Sequence, residues 1–351
     1  MGNKRIIISY AGAMLAFLIG SGFATGQELM QFFVGYGRYS LGALFIAGLV
    51  LIFCCMVIMR DGCLYNLDAP QKIFRRYCGK YISWLPIIYT PLLLYSIFVV
   101  MLAGAGATFA EYWGVSPLWG RAGMAVLAGF SALIGLQRLV KIIGKIGPII
   151  ILFMLIIGFS GIAQREAPWS ELFALLEIRE IARVTDYWYM SGFLYASFNI
   201  MLGTGFFASL AALMPDDNTA LASGFWGSAI YAGTAIVMSL SLLCQAPLVI
   251  GTDIPVLQIA RSVSPALAGL FSVVLLAGIY STAVPMLWST VHIFSKNGSR
   301  GSRLLCIFLT FLGFIASYFP FKTLVNVLYP LAGLVGSVLV LGIVFSVLRR
   351  R

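Results

Sequence analysis

Charge is what this chain has least of. Lys, Arg, Asp and Glu make up 10% of its 351 residues, and only 12 residues are acidic. That is far too little polar surface to coat a water-soluble particle of this length. Histidine occurs once, at His292, and Glu28 is the only carboxylate that falls inside an apolar run. The chain therefore lacks the material for a metal site, a Ser-His-Asp triad or a paired-carboxylate protease, and no enzyme is expected. The six cysteines, Cys54, Cys55, Cys63, Cys78, Cys244 and Cys306, contain no C-x-x-C pair and read as structural thiols. Alternating ten-residue strands are missing too, which excludes a membrane barrel and leaves helices.

What the chain has instead is hydrocarbon. Hydrophobic residues make up 61% of it and its mean hydropathy is +0.98. Runs of about 20 apolar residues or more, the length that crosses a bilayer as helix, recur along the sequence. Punctuated by Pro, Gly and charge, they give ten spans at roughly 6–34, 40–59, 82–109, 117–136, 143–163, 187–213, 220–246, 265–293, 304–319 and 323–347. The basic start, Lys4-Arg5, leads into a run that continues past any small-residue cleavage site into a spanning segment, so it reads as a retained first span.

Basic residues test that count. With a cytoplasmic N-terminus, sixteen fall inside (Lys4, Arg5, Arg60, Lys72, Arg75, Arg76, Lys80, Arg138, Lys141, Lys145, Lys296, Arg300, Arg303 and Arg349 to Arg351) and seven outside. The asymmetry supports ten spans with both termini cytoplasmic. The net charge of +11 sits in these short clusters, where anionic headgroups attract it, so the lipid bilayer and not nucleic acid is the expected partner. Two outer connections, 164–186 and 247–264, are long enough to hold short helices lying over the outer face.

The chain reads as a single transmembrane domain, 1–351, with a weak internal repeat. Gly20-Ser21-Gly22-Phe23 in the first span returns as Gly203-Thr204-Gly205-Phe206 in the sixth, 183 residues later. Each copy opens a five-helix half, 6–163 and 187–347. An odd number of spans per half gives the halves opposite topology, the mark of inverted-repeat transporters.

The first copy carries the strongest chemical signal. Gly20, Ser21, Gly22, Thr25 and Gly26 put three glycines and two hydroxyls at mid-bilayer, where each glycine weakens helix by about 1 kcal/mol relative to alanine. A break there exposes carbonyls for a cation and amides for a carboxylate; close helix packing at small residues is the alternative. Glu28, just beyond, is a proton carrier or gate, or else a hydrated residue near the outer interface. In the sixth span Asn199 offers a donor and an acceptor toward substrate, with Gly203, Thr204 and Gly205 behind it; interhelical bonding is its alternative role. In the eighth, Ser281 and Thr282 precede Pro285, so two hydroxyls and freed carbonyls suit a monovalent cation, unless the hydroxyls merely bond their own helix.

The stretch from Ala16 to Glu28, followed by Gln31-Phe32-Phe33, resembles the signature of the YkvI family of uncharacterised bacterial membrane proteins, over essentially the whole chain in length and span order. That family resembles the amino acid, polyamine and organocation superfamily, whose members share the leucine-transporter type of fold. The resemblance implies an all-α membrane protein of about ten helices in a five-plus-five inverted repeat, with broken first and sixth helices around a substrate. It places the protein in the bacterial inner membrane. In sodium-coupled branches it implies a sodium ion on the carbonyls of Ala16 and Ile19 and the hydroxyls of Ser281 and Thr282, with 247–264 as an extracellular lid. No other cofactor is implied, and no oligomeric state. The expected function is sodium- or proton-coupled transport of a small solute, an amino acid or similar zwitterion. The competing expectation is a receptor that keeps the fold and moves nothing; solute flux separates the two.

Overall fold

The computed structural model describes residues 2–134, 136–178, 181–295 and 299–349, without the side chains of 2, 3 and 136–146. Among the described residues there is no strand. The helices are α1 (Gly2–Leu18), α2 (Ser21–Thr25), α3 (Gln27–Phe32), α4 (Ser40–Leu64), α5 (Pro70–Ile82), α6 (Trp84–Trp113), α7 (Pro117–Ile134) and α8 (Leu136–Ala163). They continue as α9 (Trp169–Ile178), α10 (Trp188–Ala211), α11 (Asp217–Cys244), α12 (Ala246–Val249), α13 (Pro255–Val263), α14 (Pro265–Phe294), α15 (Arg300–Ala316) and α16 (Phe321–Leu348). A 3₁₀ segment, Val34–Tyr39, joins α3 to α4.

Among the described residues, seven helices are long and apolar enough to cross a membrane: Val34–Leu64, α6, α7, α10, α11, α14 and α16. The first expected span is interrupted, and α15 is 17 residues long. Phe45, Phe130, Phe308, Phe311 and Phe345 are all exposed on the outside of the bundle. An apolar surface of that extent belongs against hydrocarbon.

Backbone approach through glycine sets the centre of the bundle. A methyl group on Gly192 of α10 would strike the carbonyl of Ala43 on α4, and one on Gly336 of α16 would strike the carbonyl of Ser197 on α10. At Gly333 it would lie 2.6 Å from the carbonyl oxygen of Leu194. Helices packing in lipid gain most where small residues let backbones meet, and α10 is held this way on two faces.

Basic residues gather at one end. There Arg60 meets Asp217 at 3.4 Å and Arg76 meets Asp61 at 3.2 Å. Asp216 caps α11 by accepting from the Thr219 amide at 2.8 Å; that bond and one from the Thr219 hydroxyl hold its carboxyl below the usual carboxylate range. At the opposite end the connection 164–186 contains α9, which buries Leu172 and Leu176, and 247–264 contains α13, so each of the two long connections holds a short helix.

One expectation fails. The sixth span is not broken: α10 runs without interruption from Trp188 to Ala211. Its polar side chains bond inside their own helix, Ser197 to the Phe193 carbonyl at 2.8 Å, Asn199 to that of Tyr195 at 3.0 Å and Thr204 to that of Ile200 at 2.6 Å. Gly203 is covered by the ring of Phe207, one turn on. These bonds supply locally what a break would otherwise leave to a ligand.

Candidate functional site

The first span does break, at its glycines. Ile19 and Gly20 lie outside helix, Gly20 caps α2 in extended conformation, and Gly26 takes the left-handed φ of +85° between α2 and α3. Only glycine adopts that φ without strain. Thr25 bridges the interruption, donating to the Gly22 carbonyl at 3.1 Å and accepting from the Gln27 amide at 3.4 Å. Ser21, Gly22 and Thr25 are buried.

On one side of the break lies a cavity of about 560 Å³. Its wall combines Ala13, Ala16 and Phe17 of α1, Pro70 and Phe74 of α5, Thr90 and Pro91 of α6, Met201, Leu202, Gly205 and Phe206 of α10, and Ser281, Thr282 and Trp288 of α14. It runs from buried Met201 and Thr282 to exposed Gln71, Ser209 and Ile293, so it opens at the basic end. Among the described residues no charged side chain lines it. Prolines 91 and 285 lie inside α6 and α14, so each leaves the carbonyl four residues earlier, Ile87 and Ser281, without its helix donor. Ser281 and Thr282 both donate to the Gly278 carbonyl, at 2.7 and 3.2 Å, which are the bonds to their own helix that stood as the alternative to a cation site.

Of the residues expected to hold a cation, Ala16, Ser281 and Thr282 line this cavity and Ile19 does not. Of those expected to hold substrate, Gly205 lines it, while Gly20, Ser21, Gly22, Thr25, Asn199, Gly203 and Thr204 do not. Aromatic contacts pack around both helices: Phe23 of α2 packs on Tyr231 of α11 at 4.8 Å and Phe198 of α10 stacks on Tyr329 of α16 at 4.5 Å.

Across the break Glu28 is buried among phenols. Its Oε1 accepts from the Tyr195 hydroxyl at 3.1 Å, that hydroxyl lies 2.7 Å from the Tyr231 hydroxyl, and Tyr231 donates to Asn199 Oδ1 at 3.4 Å. A Cβ on Gly22 would sit 2.7 Å from both Glu28 Oε2 and Tyr329 Cε2, so the glycine is what lets the carboxyl and the ring meet over α2.

The end opposite the cavity mouth is sealed. Val256 of α13 presses on Gly26, where its Cγ2 would lie 2.8 Å from an added Cβ, and Val256 and Leu257 are fully buried. Glu111, in the last turn of α6, holds α13 down. Its Oε2 accepts from the Ile254 amide at 2.8 Å and its Oε1 from Gln258 Nε2 at 2.6 Å, while Arg261 donates to the Glu111 carbonyl at 3.1 Å. A hydrogen bond to a charged group contributes about 1.5–3 kcal/mol. Glu111→Ala is therefore expected to raise amide hydrogen exchange across 254–263 by about tenfold or more, since 1.4 kcal/mol is a factor of ten in local opening. Unchanged exchange would mean that the apolar contacts of Val256 and Leu257 hold α13 without the latch.

No family model matches the sequence. Over 342 residues, 95% of this chain and 92% of that protein, it is 24% identical to the uncharacterised membrane protein YkvI of Bacillus subtilis. The chain is a homologue of YkvI. A second B. subtilis protein, the uncharacterised YyaD, is 31% identical over 111 residues, 29% of this chain and 31% of YyaD. Among solved structures, MhsT in complex with L-phenylalanine superposes with a TM-score of 0.66 at 15% identity, covering 97% of this chain and 95% of MhsT. A variant of the manganese transporter of Eremococcus coleocola gives 0.60 at 16% identity, covering 98% and 78%. The protein thus has the leucine-transporter type of helical fold that its first-span motif resembles.

Sequence reading singled out Glu28 and Asn199 but not the residues that join them. Tyr195 and Tyr231 lie 36 residues apart on different helices, and Tyr329 comes from α16, so no local pattern pairs them. Glu111 was missed for a simpler reason: α6 runs to Trp113, four residues beyond the span drawn for it.

Proposed function

We propose that the protein is a secondary active transporter of a small organic solute, an amino acid or similar zwitterion, working by sodium- or proton-coupled alternating access. One observation carries this reading: the cavity beside the first-helix break is open at the basic end and sealed by α13 at the other. A solute path open to one side at a time is what alternating access requires. By the positive-inside rule the basic end is cytoplasmic, which makes this the inward-facing form, in a bacterial inner membrane with both termini inside. The five-plus-five inverted repeat belongs to this proposal. So does its motion: α1 hinges at Ile19-Gly20, while α10, tied by glycine contacts to α4 and α16, moves with them.

The wall supports a net-neutral solute. It combines apolar side chains with a few hydroxyls and freed carbonyls and, among the described residues, carries no fixed charge, and burying an uncompensated ionic solute there would be costly. The likeness to MhsT, a protein crystallised with L-phenylalanine, is compatible with an amino acid. The manganese of the other likeness finds less support, because among the described residues no three His, Cys, Asp or Glu side chains cluster.

Ser281 and Thr282 give the test. In detergent, sodium at a hundred times its dissociation constant stabilises a single-site protein by about 2.7 kcal/mol. Wild type is expected to melt higher in sodium than in potassium or choline at equal ionic strength, and Thr282→Ala is expected to lose that difference. If sodium stabilises neither protein, the α14 site is not a sodium site, and proton coupling through Glu28 or a receptor role moves ahead. Uptake of an amino-acid panel into proteoliposomes tests transport itself; binding without accumulation would overturn the transporter reading in favour of a receptor.

A further inference from the structure

Glu28 is remote from the solute cavity: none of the residues lining the cavity belongs to α2 or α3. The space around its carboxyl is filled, since a methyl group on Gly22 would already collide with Glu28 Oε2 and Tyr329. An organic solute does not fit there without rearrangement, and a proton does.

Among the described residues, the surroundings of Glu28 contain no countercharge. The elements packed on α3 are α2, the 3₁₀ segment, α10, α11 and α16. Their titratable groups facing the carboxyl are Tyr195 of α10, Tyr231 of α11 and Tyr329 of α16. The 3₁₀ segment adds Tyr36, which donates to the Thr185 carbonyl at 2.6 Å, and Arg38, which faces Glu177 at 3.7 Å. Among the described residues no ion pair includes Glu28. A carboxylate so buried is costly, whereas a neutral acid needs only a hydrogen-bond acceptor.

The phenols provide that acceptor by being able to turn. Asn199 Nδ2 donates to the Tyr195 carbonyl, which leaves Oδ1, an acceptor only, facing Tyr231. With Glu28 ionised, Tyr231 donates to Tyr195 and Tyr195 to Glu28. With Glu28 protonated, the order reverses: the acid donates to Tyr195, Tyr195 to Tyr231, and Tyr231 to Asn199 Oδ1. Either protonation state of the carboxyl therefore has hydrogen-bond partners in the same geometry.

A second observation marks the side from which the proton comes. Gln31 follows Glu28 by three residues on α3, and Asn326 precedes Tyr329 by three on α16, so the two pairs share helix faces. Gln31 Nε2 donates to the Asn326 backbone carbonyl at 3.2 Å, yet Gln31 Oε1 and Asn326 Oδ1 are both buried with no donor. Orphaned acceptors of this kind call for water. They lie from Glu28 toward the start of α16, at the end of the bundle away from the cavity mouth.

We propose that Glu28, Tyr195, Tyr231 and Asn199 form a proton-loading site separate from the solute cavity, reached by water past Gln31 and Asn326. Hydronium gives its proton to the Glu28 carboxylate, forming the acid and releasing water; the same proton returns to water when the break opens on the other side. This names the coupling ion and so rests on the transporter reading.

Infrared difference spectroscopy of the purified protein during a pH titration tests it without any solute. Wild type should show the C=O stretch of a protonated carboxylic acid that is lost in Glu28→Gln, shifted in Tyr195→Phe and Tyr231→Phe, and kept in Glu111→Gln. Glu28→Gln, which mimics the neutral acid, should remain folded and lose the part of the pH response that Glu28 supplies. In Asn326→Leu the band should persist while its deuterium shift is slowed. A band unchanged in Glu28→Gln, or absent from wild type, would overturn the proposal and leave solute transport untouched. The band without uptake of any solute would keep the proton site and remove the transporter reading.

Discussion

Asp61→Ala is expected to cost about 3 kcal/mol and to remove most of the folded protein recovered in detergent. Asp61 lies in the last turn of α4, 3% exposed, and its Oδ2 accepts from Arg76 Nε at 3.2 Å and from the Tyr77 hydroxyl at 2.7 Å. Arg76 also stacks on Tyr65, 3.6 Å from the ring centre. Deleting one member of a buried pair leaves the other charge desolvated, at about 3–5 kcal/mol. The Arg76 side chain keeps 24% of its exposure, which places the cost at the lower end. Set against a total stability of about 5–15 kcal/mol, that is a large share. Asp61→Asn keeps an acceptor for Tyr77 and should lose less. The measurement is thermal unfolding of both variants; equal melting of Asp61→Ala and wild type would show that the contact does not anchor α5. Because α5 supplies Pro70 and Phe74 to the cavity wall, loosening it should also widen the mouth.

Gly336→Ala should be nearly as damaging although it adds one methyl group. The new Cβ would meet the Ser197 carbonyl of α10 and lie 2.9 Å from Met201 Cβ. Overpacking typically costs about 1–3 kcal/mol, and the upper end applies because a carbonyl within a helix cannot rotate aside. Gly233→Ala is the control. Nothing lies within 4 Å of its Cβ position, and alanine favours helix over glycine by about 1 kcal/mol. Melting temperatures should therefore fall for position 336 and hold or rise for position 233. A tolerated alanine at 336 would mean that α16 separates easily from α10, and the two would not move as one body.

The first-helix break was legible in the sequence for a simple reason. Three glycines within Gly20 to Gly26 are a local signal, and backbone propensity acts locally. The resemblance misled at the sixth helix, although its glycines repeat the pattern of the first. In α10 the neighbouring polar side chains reach their own backbone, and Phe207 covers Gly203, so similar letters give continuous helix. Sequence spacing could offer Ser281 and Thr282 as a pair, but their position on the cavity wall beside Ala16 depends on how α1 and α14 face one another.

By itself the sequence determined the solvent, the helical class, the approximate places of the spans and the interruption of the first. Hydropathy, helix propensity and charge asymmetry are properties of residues and their near neighbours. The tertiary structure decided which end of the bundle is open, that Glu28 meets Tyr195 and Tyr231 instead of the cavity, and that Glu111 closes on α13 from 143 residues away. Those are contacts between helices far apart in the chain, and shape fixes them: glycine sets how closely two backbones approach, and a buried polar atom settles where a partner waits.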